Sequence, residues 1–482
     1  MPSSAGGGQR RRSGGPAKPS RSSAAAVYSG RGGRKFQHQQ AGENGKNDKP
    51  SVGRYVGAAA FCLLLGSLWV LWGLSKRPAV TNPTPSVDQI FNDTATSSVY
   101  DRGLLKIADI SYESVLEEHM RYWSNISHRH FRGSVLAYVT PWNGKGYDMA
   151  KLFRAKFTHV SPVWYQLKRD INGLALHGRH DVDQQWIKDV RRGGSPKIVP
   201  RVVLEGYPHN MLLREDEREE AIGLITSEVT KMQFDGIVLE AWSLWRGYRV
   251  LEDPNLRQKA LEFVKLLGME LHVLEASKRK KGNLFQLVLV IPPPSGNQAD
   301  PNAFTTSDMI YLNDAVDGFS LMTYDYSNAY VPGPNAPLAW MRQCLQVLLP
   351  KGKEKKAEKL NAKDKVLNSE VTSSDPELAS KTLMGLNFYG NDYVMPQGGG
   401  AIVGHEYISL LAQHKPILTW DDASDEHHFS YPKVEMMQKT LHKVYYPSLQ
   451  SLAVRLQEAE KWGVGISIWE IGQGLEYFFD LL

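Results

Sequence analysis

Short, nearly continuous hydrophobic runs recur along the chain after Arg102, and amphipathic stretches separate them. There are eight such runs: SVLAYVTPW (134–142), FTHVSPVWY (157–165), KIVPRVVLE (197–205), FDGIVLEAW (234–242), LFQLVLVIPPP (284–294), VDGFSLMTYDY (316–326), TLMGLNFYG (382–390) and VGISIWEIG (464–472). A run that is apolar at odd and even positions alike is typical of a parallel strand buried on both faces. Gln184–Arg192 and Arg214–Met232, which lie between runs, have the pattern of amphipathic helices.

The alternation of runs and helices predicts the fold class. A strand followed by a helix, repeated eight times, is the count of an α/β protein with a (β/α)8 TIM barrel. A doubly wound open sheet is the structural alternative. Eight units over about 340 residues favour a closed barrel, which we expect to span residues 102–482.

Two insertions interrupt the predicted barrel. Residues 351–380 are charged, of low complexity and poor in apolar side chains, so we interpret them as a solvated loop. A second insertion, at about 393–460 between the seventh and eighth strands, contains LTWDDASDEHHFSY (418–431) and an amphipathic helix at Leu449–Trp462. It predicts a small accessory element beside the mouth of the barrel.

Tyr55–Leu74 is a stretch of twenty residues without a charge. As a helix it would be about 30 Å long, enough to cross a bilayer. Trp69 and Trp72 lie near one end of it, where aromatic belts occur. We interpret it as a transmembrane signal anchor; a cleaved secretory signal is the alternative, although the leader before it is long for one.

The 54 residues before this span form a basic tail. They contain eleven Lys and Arg against two acids, a net charge of +9, which leaves −3 for the rest of the chain out of the total of +6. The tail is rich in Ser, Gly, Arg and Gln, so we expect it to be disordered. The positive-inside rule then predicts a cytosolic tail, a stem at 75–101 and a barrel in the endomembrane lumen or outside the cell. An organelle transit peptide is a competing interpretation.

Other features restrict the function. Two glycosylation sequons, at Asn92 and Asn125, fit a lumenal side. Two cysteines exclude a disulfide scaffold and a cysteine-based zinc module, and the histidine pairs have no zinc spacing. The sequence therefore predicts no metal and no cofactor. The slightly acidic barrel gives no support for nucleic-acid binding.

In such a barrel the functional residues lie where the strands end. Twelve polar or aromatic side chains lie at the ends of seven of the eight runs, and seven of the twelve are aromatic: Trp142, Trp164, Tyr165, Glu205, Glu240, Trp242, Tyr324, Asp325, Asn387, Tyr389, Trp469 and Glu470. This set favours a sugar-binding groove, in which rings stack on pyranose faces. Aromatic layers inside the barrel are the alternative for about half of them.

Several motifs in this order resemble glycoside hydrolase family 18, the chitinase family. FDGIVLEAW has the outline of its strand-four signature Asp-Gly-x-Asp-x-Asp-x-Glu, and FSLMTYDY (319–326) is similar to its strand-six Met-x-Tyr-Asp motif. Trp469 matches the tryptophan that forms the floor under the central sugar in that family. The likeness extends from about Gly103 to Leu482 and is broken mainly at 351–380.

The departures from the signature bear on activity. The resemblance implies that the last Glu is the general acid and that the Asp two residues earlier holds the acetamido group of the substrate, which itself attacks the sugar. Here Val238, Glu240 and Trp242 occupy the second, third and acid positions. A period of two predicts that all three point into the barrel. An indole cannot protonate a glycosidic oxygen, and a positioned acid contributes about 10²- to 10⁴-fold.

Glu240 is the candidate substitute for the missing acid. It lies two residues deeper, about 6.6 Å along the strand, whereas Glu exceeds Asp in length by only about 1.5 Å. Its reach is therefore short by several ångströms, unless the sugar binds deeper or a water relays the proton. Glu205, Asp325 and Glu470 are other carboxyls at strand ends that could serve. Asp235, followed by Gly236, is interpreted as a turn residue between helix and strand.

The sequence thus predicts a membrane-anchored, chitinase-like protein that binds chitin-type oligosaccharides without efficient hydrolysis. The predicted sugar-binding residues are Trp142, Glu240, Trp242, Tyr324, Asp325, Tyr389 and Trp469, with Trp242 as a stacking surface. One alternative is a glycosidase that acts on N-acetylglucosamine polymers with an unusual acid such as Glu240. The other is an interaction scaffold that has lost sugar binding.

Overall fold

The computed structural model describes residues 94–194, 196–206, 209–278, 285–294, 300–349, 375–435 and 438–482. Each of the eight hydrophobic runs contains at least one strand. In chain order the strands are β1 (Thr94–Ala95), β2 (Tyr122–Trp123), β3 (Val135–Val139), β4 (His159–Pro162), β5 (Tyr165–Asp170), β6 (Gly173–His177), β7 (Lys197–Ile198), β8 (Arg201–Leu204), β9 (Gly236–Glu240), β10 (Gln286–Ile291), β11 (Gly318–Leu321), β12 (Thr382–Asn387), β13 (Gly390–Met395), β14 (Gly399–Ile402), β15 (Thr419–Asp421), β16 (Glu426–Glu435), β17 (Gln438–Tyr445) and β18 (Gly465–Trp469).

The strands of the eight runs pair in parallel along one curled sheet, and β6 joins its edge as the antiparallel partner of β5. The full order is β6-β5-β8-β9-β10-β11-β12-β18-β3-β4-β7. β7 and β8 belong to the same run and are separated only by Val199 and Pro200, since Pro200 has no N–H to continue the ladder. β7 pairs with β4, and β8 pairs with β9. The sheet therefore returns on itself, which is consistent with the predicted TIM barrel.

Helices follow or connect most of the strands. They are α1 (Tyr112–Glu118), α2 (Gly144–Leu152), α3 (Gln184–Val190), α4 (His209–Leu213), α5 (Glu215–Met232), α6 (Trp242–Gly247), α7 (Pro254–Lys278), α8 (Thr306–Leu312), α9 (Leu338–Leu348), α10 (Pro376–Lys381), α11 (Gly404–His414) and α12 (Leu449–Trp462). Capping residues in the local sequence determine where the helices begin and end. The Ser448 hydroxyl caps α12 at the Ser451 N–H, and the helix ends at Gly463 in the left-handed conformation.

Side chains alternate between the two faces of the curled sheet. On β3, Leu136 and Tyr138 belong to a small apolar cluster inside the barrel, which also contains Val199, Val238 and Val288. The intervening residues of β3 belong to the large cluster between the sheet and the helices. Arg201 lies two residues after Val199 in the chain, and Glu240 lies two residues after Val238. The strand period of two therefore directs both charged side chains toward the end of the barrel interior.

The second insertion forms a separate antiparallel sheet in the order β14-β13-β17-β16-β15, with α11 in the connection between β14 and β15. Glu426, the first residue of β16, is buried and accepts hydrogen bonds from the N–H groups of Asn335 and Ala336, at 3.0 and 2.7 Å. Arg455 of α12 lies 3.3 Å from the same carboxylate. These buried contacts attach the accessory sheet to the loop that follows β11.

The second run and the predicted loop 351–380 differ from the sequence-based expectations. The second run was expected to be one strand through Tyr165, but β4 ends at Pro162 and Tyr165 begins β5, which forms a hairpin with β6. Of the predicted loop 351–380, residues 351–374 lie outside the described residues, and the remainder includes most of helix α10, which begins at Pro376. The Asp375 carboxylate caps the N-terminus of α10, and this cap favours a helix although the segment contains few apolar residues.

The predicted basic tail, membrane segment Tyr55–Leu74 and most of the stem also lie outside the described residues, as does Asn92. Within the described ranges, no helix is both long enough and apolar enough to cross a membrane.

Candidate functional site

Trp469 is the last residue of β18 and lies at the carboxyl end of the barrel strands. Its ring packs on the cluster inside the barrel, and its centroid is 5.3 Å from that of Tyr138. The Tyr138 hydroxyl donates to Ser320 Oγ at 2.9 Å, which fixes the ring below. Trp469 remains half-buried. A half-buried indole on a rigid apolar support can present a flat face to a ligand.

Glu240 ends β9 beside Trp469 and is engaged in an ion pair. Arg201 Nε donates to Glu240 Oε2 at 2.5 Å, and both side chains are mostly buried. The Arg201 guanidinium also lies 6.0 Å from the Trp469 ring centroid, within the range of a cation–π contact. The Glu240 carboxylate is therefore held by a cation within the barrel.

Trp242 does not point into the barrel, and this part of the prediction is wrong. β9 ends at Glu240, and Trp242 is the first residue of α6, so the period of two no longer applies. Its side chain is 0% exposed, packs edge-on to Phe304 and donates from Nε1 to the Asn302 carbonyl at 3.1 Å. In this structure it presents no face on which a sugar could stack. The residue aligned with the family's acid thus lies in the outer core.

Tyr324, Asp325 and Tyr389 lie together at the ends of the sixth and seventh runs. The Tyr324 and Tyr389 ring centroids are 6.4 Å apart in an edge-to-face arrangement, and the Tyr389 hydroxyl donates to Asp325 Oδ1. Burial raises the pKa of both tyrosines well above the ordinary value, so both hydroxyls are neutral donors. The Asp325 residue is solvent-accessible, yet desolvation of its carboxyl raises the pKa, against the opposing effect of the Tyr389 hydrogen bond.

The backbone holds Asp325 in an unusual conformation, with φ of 59°. Its N–H donates to Asn335 Oδ1 at 2.8 Å, and Asn335 is in turn held by Glu426 of the accessory sheet. Left-handed non-glycine residues are uncommon and persist where the surroundings fix them. The accessory sheet therefore supports the position of the Asp325 carboxyl.

Trp142 lies in the turn between β3 and α2. It is 55% exposed, the largest exposure of any tryptophan in the described part of the chain. The next residue, Asn143, donates from Nδ2 to the carboxylate of Glu470, which directly follows Trp469. The two indoles are thus on neighbouring segments that share one hydrogen-bond network.

Glu470 and Glu205 were the other candidate acids. Glu470 is fully buried behind Trp469, with its carboxylate facing Asn143 and the Gly472 N–H. Burial raises its pKa to about 7. Glu205, by contrast, is exposed after β8 and lies 3.8 Å from Lys168 in an ion pair. Neither carboxyl lies among the contacts of Trp469, Tyr324 and Glu240.

The raised pKa of Glu470 predicts a pH-dependent stability. The pKa of Glu470 is about 7 in the folded protein, against a usual 4.5. The folded protein therefore gains stability from the protonated carboxyl. This gain is fully present below about pH 4.5, the pKa in the unfolded chain, and is lost as the pH rises through about 7. Over this window we expect the wild type to lose about 3 kcal/mol of unfolding free energy relative to Glu470→Gln. Urea unfolding of both proteins between about pH 5 and about pH 9 measures this difference. Parallel pH profiles would contradict it.

Asp235, the first acid of the resembling signature, has the structural role predicted for it. It precedes β9 at the opposite end from Glu240, receives a hydrogen bond from Arg191 and accepts the Ile198 N–H at 2.8 Å. Gly236 follows with φ of 138°, and a Cβ there would lie 2.0 Å from the Gln286 carbonyl oxygen. Only glycine fits this close approach.

Arg201 was not among the site residues predicted from the sequence. It is the one charged residue in the interior of the run KIVPRVVLE, which has Lys197 and Glu205 at its ends. It lies two residues after Val199, so its side chain is on the face of the strand that lines the barrel interior. A charged residue inside a strand buried on both faces needs a partner, which is the signal that could have identified it. Within the ranges that the structure describes, no three or more His, Cys, Asp or Glu side chains lie together as a candidate metal site.

Known proteins resemble this chain both in sequence and in fold. Residues 136–474 match the sequence profile of Glycosyl hydrolases family 18. A chitinase from Chromobacterium violaceum is 18% identical with a TM-score of 0.54, and a class V chitinase from Pseudomonas fluorescens is 20% identical with a TM-score of 0.54. A plant class V chitinase mutant from Cycas revoluta, in complex with (GlcNAc)3, is 14% identical with a TM-score of 0.54. Each match covers 72% of this chain and 98% of the other.

Proposed function

The chain belongs to glycosyl hydrolases family 18, and from that premise we propose that it binds chitin-type oligosaccharides without efficient hydrolysis. It would act as a chitinase-like lectin. The observation that carries this proposal is the absence of a free carboxyl at the acid position. Trp242 occupies that position in sequence and is buried in the outer core, while the nearest acid, Glu240, is paired with Arg201.

Retention of sugar binding is supported by what remains at the carboxyl end of the barrel. Trp469 offers an indole on a rigid support, and Tyr324 and Tyr389 keep neutral hydroxyls beside the Asp325 carboxyl. One apolar face with a few fixed polar groups is the usual composition of a sugar site. The Cycas revoluta chitinase mutant of the same fold holds (GlcNAc)3.

The proposed ligand is therefore an oligosaccharide of N-acetylglucosamine type. The proposed contacts are Trp142, Glu240, Tyr324, Asp325, Tyr389 and Trp469. Trp242 is left out of this set because it is fully buried. Within the family, VTPWNGKGYD (139–148), PGPNAPL (332–338) and SIWEIGQGL (467–475) resemble chitinase domain-containing protein 1, and we propose that the chain lies in that branch.

Titration calorimetry of the purified full chain with chitotetraose tests the binding proposal. We expect saturable heat with a dissociation constant in the range of about 1 μM to about 1 mM. No heat with any N-acetylglucosamine oligomer would instead favour the interaction scaffold and overturn the proposed function.

We further propose that the chain is a single-pass type II membrane protein anchored by Tyr55–Leu74. This rests on the uncharged span and on the eleven basic residues before it. Asn125 is exposed after β2, and the Ser127 hydroxyl donates to Asn125 Oδ1 at 3.0 Å within the sequon. An exposed sequon beyond the span fits a lumenal barrel.

This topology predicts N-glycosylation at Asn125 and Asn92. In eukaryotic cells we expect an endoglycosidase-sensitive mobility shift that decreases by one step in Asn125→Gln and by one step in Asn92→Gln. Lys46→Ser creates a matched sequon at Asn44 in the tail, and we expect that site to stay unmodified. Modification at Asn44, or none at Asn125 and Asn92, would contradict the proposed topology.

A further inference from the structure

Glu470 is a fully buried charged residue that the proposed binding site does not use. It directly follows Trp469, and its backbone has the left-handed conformation, with φ of 54°. Its two carboxylate oxygens accept from different segments. Oε2 accepts from Asn143 Nδ2, in the loop after β3, and Oε1 accepts from the Gly472 N–H at 3.2 Å, in its own turn.

The fit around this carboxylate is tight. A Cβ on Gly146, in the first turn of α2, would lie 2.5 Å from Glu470 Oε1. A Cβ on Gly472 would lie 2.3 Å from the Gly146 backbone nitrogen. Glycines at both positions therefore let the backbone of α2 approach the turn that follows β18, and the carboxylate lies between them.

Lys145 reinforces the same junction from the outer side. Its Nζ donates to the Gly474 carbonyl at 3.2 Å and lies 3.0 Å from Glu476 Oε1. The loop that carries exposed Trp142 and the first turn of α2 are thus joined to the segment after Trp469 by the Asn143–Glu470 hydrogen bond and by two contacts of Lys145. The contact with the fully buried Glu470 contributes more than the Lys145–Glu476 ion pair, because solvent screens the partly exposed pair.

We infer that Glu470 is a positioning residue, whose buried carboxylate holds the loop bearing Trp142 against the end of β18 and so sets the spacing between the Trp142 and Trp469 indoles. Its effect on sugar affinity rests on the proposed function. We call the hydrogen bonds that the Glu470 carboxylate accepts from Asn143 and Gly472 the clamp. The clamp is independent of any ligand. Rings that stack on successive sugars must keep a fixed spacing, so a group that fixes it controls affinity.

The clamp is expected to respond to pH. Desolvation raises the pKa of Glu470 to about 7, opposed first by the Asn143 hydrogen bond and then by Gly472 and Lys145. Hydrogen bonds to an ionised carboxylate are about twice as strong as those to a neutral one. Protonation below about pH 7 therefore weakens the hold on Asn143. The other titratable groups that face this junction are Lys145, Tyr147 and Glu476.

Fluorine NMR of the full chain labelled with 5-fluorotryptophan tests the clamp without a ligand. Trp142→Phe and Trp469→Phe assign the two resonances. In the wild type we expect both resonances to shift with pH at one common midpoint near about 7. In Glu470→Gln neither should titrate there. A Trp142 resonance that is insensitive to pH, or that titrates equally in Glu470→Gln, would overturn the inference.

Two further variants keep the test decisive. Asn143→Ala removes a donor from a partly exposed residue, and it should abolish the titration of Trp142 even if Glu470→Gln does not fold. Glu252→Gln changes an exposed glutamate that pairs with Arg249, and it should behave as the wild type does. Loss of the common midpoint in Glu252→Gln, or its retention in Asn143→Ala, would contradict the assignment.

Calorimetry with chitotetraose then measures the effect on binding. We expect the wild type to bind about tenfold more weakly at about pH 5 than at about pH 8.5. Glu470→Gln should bind weakly at both pH values. Equal pH dependence in the variant and the wild type would overturn the link to affinity. If the oligomer does not bind at any pH, the proposed function fails, and the fluorine measurement still decides the clamp.

Discussion

Trp469→Ala is expected to reduce the affinity for chitotetraose by at least about thirtyfold, which corresponds to about 2 kcal/mol. Trp469 is the half-buried indole at the end of β18, supported from below by Tyr138 and flanked by the Arg201 guanidinium. Truncation removes the stacking face and leaves the Arg201–Glu240 pair beside an empty space. The loss should appear in calorimetry as weak or absent heat.

Trp420→Ala is the matched control, because this tryptophan lies on β15 of the accessory sheet, with its ring 4.8 Å from that of His427. It should bind the oligomer as the wild type does. Thermal unfolding of both variants separates lost binding from lost structure. Unchanged affinity in a folded Trp469→Ala protein would show that the sugar does not lie on this indole.

Trp242→Glu is expected to destabilise the protein by about 3–5 kcal/mol and to create no hydrolase. The position aligns with the family's acid, yet its side chain is 0% exposed and packs against Trp245 and Phe304. Arg257, 5.5 Å from the indole, is already paired with Asp308 at 2.6 Å. A carboxylate placed there would be buried without a free partner.

Trp242→Phe serves as its control. Phenylalanine retains the ring contacts and loses only the hydrogen bond to the Asn302 carbonyl, so a loss of about 1–2 kcal/mol is expected. Denaturant unfolding measures both variants. A stable Trp242→Glu protein that shortens chitin oligomers would show that residue 242 can reach the sugar, which would contradict the buried position.

The barrel strands could be predicted because each is buried on both faces, and this condition appears directly in the sequence as an apolar run. Their ends could not be predicted to the same accuracy. The period of two was carried beyond Glu240, but the chain turns at Ala241, whose ψ of −35° leaves the strand conformation, and α6 begins at Trp242. Beyond such a boundary, the alternation of side chains along a strand no longer predicts the direction in which a side chain points.

Contacts between distant segments were also beyond the sequence pattern. Glu426 and Asn335 are separated by about 90 residues in the chain, yet together they hold the backbone of Asp325. The pairing of Arg201 with Glu240 requires the register of β8 against β9, which aligns Arg201 with Val238. Hydrophobic periodicity identifies strands but does not encode their register, so these supports of the site appear only in the folded chain.

Product analysis of the full chain incubated with chitohexaose tests the central claim most directly. Chromatography should show no shortening of the oligomer beyond a buffer control, while calorimetry of the same preparation shows binding. This follows from the proposed function, because a positioned general acid supplies about 10²- to 10⁴-fold in a working enzyme and Trp242 occupies the acid position in sequence. Sustained release of shorter oligomers that disappears in Glu240→Gln would contradict the account and establish Glu240 as the acid.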